Sequence, residues 1–140
     1  MRNSYKMNRH KLFTCSRLRS AYLCVFIFAF ALTEIGRYIY RPFVYESGLD
    51  DFGMADTMGN HLGAVTLVFF ILAVMNATRQ EALIVIATVT MGYVGYEFIQ
   101  QALPGSTFDL KDAIASIIGG TISLLLFLVT YRLVGKWDSM

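Results

Sequence analysis

The sequence predicts an all-α membrane protein, a bundle of four transmembrane helices with both termini cytoplasmic. Four apolar stretches, at about 18–40, 55–76, 81–102 and 111–134, each reach the ~20 residues that a helix needs to cross the ~30 Å hydrocarbon layer. The chain has 140 residues, of which 56% are hydrophobic and 16% charged, more apolar surface than a soluble core of that size can hide. Backbone groups in lipid must bond internally, so the stretches read as helices rather than strands.

Charge sets the expected orientation. Arg2, Lys6, Arg9, Lys11, Arg17 and Arg19 precede the first span, Arg79 lies in the short middle turn, and Arg132 and Lys136 follow the last span. Alternating helices put these on one side. The other side has Arg37, Arg41 and Lys111 against Glu34, Glu46, Asp50, Asp51, Asp56, Glu97, Asp109 and Asp112. Excess Lys and Arg marks the cytoplasmic side, so the expectation is a multi-pass protein of the cell membrane. Basic clusters also serve nucleic acid, but beside a transmembrane span the topological explanation takes precedence and no nucleic-acid partner is expected. Anionic headgroups are the natural contact of the basic tail.

In chain order, residues 1–17 read as a polar, flexible cytoplasmic tail, 18–134 as the four-helix domain and 135–140 as a second short tail. A competing reading takes the basic start, the apolar run 21–28 and Ala29-Phe30-Ala31 as a cleaved signal peptide. The apolar run, however, continues through Ile35, Tyr38, Ile39 and Tyr40. The first helix should stop before Pro42, whose ring disfavours helix at the preceding residue, leaving 42–54 as the longest external loop. Residues 76–80 make a tight inner turn and 103–107, with Pro104-Gly105, a tight outer one. Cys15 and Cys24 lie on the cytoplasmic side, where nothing oxidises them. The sequon Asn76-Ala77-Thr78 falls in the inner turn and reads as chance. Gly59 with Gly63, Ala115 with Gly119, and Gly92 with Gly95 are expected to let helices pack closely within the bundle. The oligomeric state is not legible.

The polar residues of the four spans gather at their outer ends: Glu34, Arg37 and Arg41 on the first, Asp56 and Asn60 on the second, Glu97, Gln100 and Gln101 on the third, Asp109 and Asp112 on the fourth. Reflection about Pro104-Gly105 places Glu97 level with Asp112 and Gln100 near Asp109. Asp109 and Asp112 read equally well as a helix start, where side-chain caps and the dipole favour acids. Asp56 reads as a cap or a site residue, and Asn60 as a hydrogen-bonding tie between helices or a site residue. Glu34 stands three before Arg37, which suits a local ion pair. Glu97 differs, because it lies near a helix C-terminus, where the dipole disfavours a carboxylate, and within an apolar run. An ionisable residue there marks a functional site with a partner. Arg37 or Arg41 is the expected partner; failing a cation, Glu97 shares a proton with Asp112.

These residues and spacings resemble the VanZ-like membrane protein family, over about residues 56–120. Asp56 and Asn60 open the second span as the family's Asp and polar residue do, with His61 one place beyond the usual His. Glu97, Gln100, Pro104 and Gly105 reproduce its Glu-x-x-Gln and Pro-Gly turn; Asp112, Ser116 and Gly119 follow its last motif, with Ser116 in place of Asn and Ser106 in place of a frequent basic residue. The resemblance implies a four-helix membrane protein with polar residues grouped near the outer face, and links some members to glycopeptide protection.

Three functions fit the sequence. The favoured one is non-enzymatic: the outer cluster, formed by Glu34, Arg37, Arg41, Asp56, Asn60, Glu97, Gln100, Gln101, Asp109 and Asp112, binds a lipid-linked cell-envelope component or modulates glycopeptide sensitivity. The second is an intramembrane enzyme on a lipid substrate, with Glu97 as general acid or base and Asp112 tuning it. No nucleophile stands nearby, so the balance leans away from catalysis. The third is a proton or cation pathway, for which only Thr88, Thr90, Thr121 and Ser123 line the inner half. No cofactor and no metal is expected: His10 lies in the tail, only His61 is near, and Arg37 and Arg41 argue against a cation among the acids.

Overall fold

A computed structural model describes the backbone of residues 2–75, 77–103 and 108–137, and the side chains of 17–75, 77–103 and 108–134. The Asn76 sequon, the Pro104-Gly105 turn, and the side chains of His10, Cys15 and Lys136 lie outside the described residues. Every regular element is helical: α1 (Arg2–Ile35), a π-helical turn (Gly36–Tyr40), α2 (Arg41–Ser47), α3 (Met54–Met75), α4 (Arg79–Gln100) and α5 (Leu110–Trp137). Four stretches, Arg17–Ser47, Met54–Met75, Arg79–Gln100 and Leu110–Val134, are long and apolar enough to cross a membrane. Many large apolar side chains point outward from them, including Phe28 at 67% exposure and Met91 at 74%. Such outward apolar faces are consistent with a membrane protein.

Two expectations about the first helix are corrected. The basic segment runs as helix back to Arg2, and the helix does not stop at Pro42. The π turn accounts for the second. Arg41 N–H bonds the carbonyl of Gly36, five residues back, and this wider turn makes room for the Pro42 ring, which in a regular α-helix collides with the carbonyl four residues earlier. The helix ends at Gly48, whose φ of 65° is the left-handed cap conformation that glycine adopts without strain. The external loop therefore shrinks to 48–53. The 31 residues of Arg17–Ser47 extend about 46 Å at 1.5 Å per residue, so α2 reaches well past a hydrocarbon layer.

The helices run up and down, and α3 packs against α1, α4 and α5, whereas no Cα atoms of α1 and α4 lie within 8 Å of each other. The 48–53 loop, the end of α4 and the start of α5 share one end, here the acidic end; the end of α3 and the start of α4 lie at the other. Ala64, Val65, Val68, Phe69 and Leu72 of α3 are fully buried, with Tyr22 of α1 and Phe127 of α5 against them. At the far turn Thr78 and Glu81 cap α4 reciprocally: Glu81 N–H donates to the Thr78 hydroxyl, and Thr78 N–H donates to the Glu81 carboxylate. The Thr-x-x-Glu pattern that signals this box is plain in the sequence and went unread.

Of the small residues expected to seat helices, Gly119 does so: a Cβ there would overlap the His61 carbonyl of α3, and one at Gly120 would overlap Thr90 of α4. Gly59, Gly92 and Gly95 face open space, and Gly63 meets the Tyr93 hydroxyl. Gly119→Val should therefore cost about 1–3 kcal/mol by overpacking, while Gly59→Ala should leave stability unchanged or slightly raised. Thermal melts of the two purified variants in the same detergent check the contrast.

Candidate functional site

The polar residues at the acidic end divide into two groups on either side of α3. On the α4–α5 side, Glu97 is 2% exposed. Asn60 Nδ2 donates to Glu97 Oε1 over a long 3.5 Å, and Asn60 also stands beside Asp112. Asp112 and Asp109 lie within electrostatic reach of Glu97, and His61 within reach of Asp112. Two carboxyl oxygens, Glu97 Oε2 and Asp112 Oδ1, are buried with no hydrogen-bond partner. A buried polar atom left unpaired is costly, and native structures keep few of them.

The helices dictate this convergence. Glu97 lies one turn beyond Tyr93 on the α4 face that meets α3. Asp112 lies two turns before Gly119, on the α5 face that closes on α3. Asp112 thus comes within electrostatic reach of Glu97. Asp109 accepts from the Lys111 N–H at 2.8 Å, as a residue at a helix start does, and is otherwise exposed. Gln100 is half-buried and Gln101 exposed, and neither joins the carboxyl pair by a hydrogen bond.

The expected cation is elsewhere. Arg41 reaches Asp56, with Nη2 3.1 Å from Oδ1, on the α1–α3 side. It also donates from Nε and Nη2 to the Tyr45 hydroxyl, each at 3.2 Å, and that hydroxyl donates to Asp56. Asp56 is therefore held by α2 rather than capping α3. The cap is Asp51, which accepts from the N–H groups of Gly53 at 3.0 Å and Ala55 at 2.6 Å and from the Tyr40 hydroxyl at 3.2 Å. Sequence reasoning missed it because Asp51 precedes the helix by three residues, across Phe52 and Gly53 in left-handed conformations. Nor do Glu34 and Arg37 pair: among the described residues the ion pair is Arg41–Asp56, and Arg37 instead lies over the Tyr38 ring, 5.9 Å from its centroid.

The hydroxyls considered for a pathway are turned back on their own helices. Thr90, Thr121 and Ser123 donate to the carbonyls of Ile86, Ile117 and Gly119, each four residues earlier, and Ser116 does the same to Asp112. Thr88 is exposed. Among the described residues no group of three or more His, Cys, Asp or Glu is placed to hold a metal ion.

Fold and site together define an all-helical protein with four helices apolar enough to cross a membrane and, at one end of the bundle, a buried Glu97 with a half-buried Asp112 in electrostatic reach of it. No protein-family model matches the chain, and no solved structure matches it. Over 68 residues, 49% of this chain, it is 32% identical to an uncharacterized protein of Schizosaccharomyces pombe. The chain covers 42% of that protein's length, less than half of it.

Asp51 yields a pH test outside the spans. Burial, the largest single influence, raises its pKa, but the Ala55 and Gly53 N–H groups and the Tyr40 hydroxyl outweigh it and hold the carboxyl below its ordinary value. A lowered folded pKa stabilises the charged form, so the contribution is complete above the unfolded value of about 3.9 and is lost as pH falls through the folded one. Wild type should melt above Asp51→Asn near neutral pH, with the gap closing below about pH 3.9; melting curves of both across that range check it.

Proposed function

We propose that this chain is an integral membrane protein of VanZ-like type that binds the polar part of a lipid-linked molecule of the cell envelope through Asn60, Glu97 and Asp112, without turning it over. The observation that carries the reading is the pair of buried, unpartnered oxygens, Glu97 Oε2 and Asp112 Oδ1. Carboxyl oxygens at the membrane end of a bundle are complementary to hydroxyl, amide and ammonium donors, which sugar and amino headgroups present at that depth. Asn60 holds the first carboxyl in place, and Gly119 brings the second one up to it. The termini and the α3–α4 turn face the cytoplasm in this reading, because the basic residues gather there. The acidic end then faces outward, where envelope precursors and glycopeptides are met.

A second reading uses the same two oxygens as a general acid–base pair acting on a bound lipid. It draws on their closeness, and turnover separates it from binding.

Mass spectrometry of lipids and lipid-linked sugars that co-purify in mild detergent tests the proposal. One headgroup class should be enriched by wild type and reduced at least ten-fold in Glu97→Gln and in Asp112→Asn. Identical profiles in all three proteins would overturn binding at this site. Conversion of the enriched species by wild type alone would replace binding with catalysis.

A further inference from the structure

No Cα atoms of α1 and α4 lie within 8 Å of each other, and a trough runs between them with α3 as its floor. Its apolar part, about 430 Å³, is lined by Phe26, Phe30, Phe70 and Tyr93 among others, with Glu34 and Thr33 at its edge toward the acidic end. That size lies in the ordinary range for a small-molecule site. Thr33 also lines a neighbouring polar hollow of about 320 Å³, together with Arg37, Arg41 and Asp56. Asp56 is already engaged by Arg41 and Tyr45, whereas Arg37 meets no carboxylate among the described residues. The mouth of the trough is thus cationic through Arg37. Glu34, one helical turn deeper, is half-buried and has no hydrogen-bond partner among the described residues.

We infer that this trough binds one phosphate-headed lipid of the sphingoid kind: a chain among the aromatic rings, an interfacial hydroxyl or amide N–H donating to Glu34, and the phosphate on Arg37. The order of chemistries along the trough, apolar, then acceptor, then cation, is the order chain, donor, phosphate in such a lipid. A diacylglycerol phospholipid presents only ester acceptors at the depth of Glu34 and leaves that carboxyl unpaired. A second copy of the chain fits less well, since a helix face laid in the trough brings apolar side chains to Glu34. The assignment lies on the α1 side of α3 and does not rest on Glu97.

Native mass spectrometry of the full chain, loaded with ceramide phosphocholine or with diacyl phosphatidylcholine, isolates the donor because the two lipids share a headgroup. Wild type should retain one ceramide phosphocholine per chain, at least ten-fold over the diacyl lipid. Arg37→Gln should lose most of that retention, Glu34→Leu should abolish the preference, and Thr66→Trp should block the trough. Ile39→Gln, at a neighbouring exposed position, should behave as wild type. Equal retention of the two lipids by wild type would overturn the inference. So would retention unchanged in Arg37→Gln, equal loss in Arg37→Gln and Ile39→Gln, or a dimer in which no lipid is held.

Discussion

The close approach of α5 to its neighbours governs the rest of the structure. At Gly119 the backbone of α5 lies so near the carbonyl of His61 that no side chain fits, and at Gly120 the same holds for Thr90. Small residues permit such contacts between helices in lipid, where packing rather than water drives association. Two turns along the same face, that contact presents Asp112 to Asn60 and Glu97. A wider α3–α5 spacing would open the acidic end and leave the carboxyls to separate surroundings. The glycines therefore shape the site from a distance, by setting how deep its acids sit.

Among the described residues of the bundle, most polar groups follow one economy. Hydroxyls bond the carbonyl four residues back, as Thr33, Thr90, Ser116 and Ser123 do, and need nothing from another helix. Asp50, Asp51 and Asp109 at the end of the bundle find backbone amides, and Asp56 finds Arg41. Glu97 and Asp112 do neither in full, since one amide side chain serves two carboxyls. A structural role would favour complete pairing, because a partly satisfied buried group is less stable than an apolar one. Incomplete pairing at a buried position is the usual mark of a site that conflicts with its own stability.

The spans were legible because length and apolarity alone select helices in lipid, and the four structural spans overlap the four stretches read from the sequence. Counting along the chain also pointed to a neighbourhood of Glu97 and Asp112, and Asp112 lies within electrostatic reach of Glu97. Less accessible was the path through Pro42, where a π turn replaces the expected stop; that depends on hydrogen bonds five residues apart, which carry no strong residue signature. Partner choice was read least well. Arg37 and Arg41 were candidates for Glu97 by depth alone, but depth says nothing about which side of α3 a side chain takes, and α2 swings Arg41 toward Asp56. The Asp51 cap was hidden by a turn that the sequence marks only through Gly53.

The central claim is that Glu97 is retained for a ligand rather than for the fold. The most direct test is the thermal stability of Glu97→Met against wild type in the same delipidating detergent. Methionine fills a similar volume and leaves no carboxyl oxygen unpaired, so the variant should melt at the same temperature as wild type or above it. If Glu97 instead ties α3, α4 and α5 together, the variant should melt several degrees lower, as loss of a buried hydrogen bond of about 1–3 kcal/mol requires, and the claim would fall.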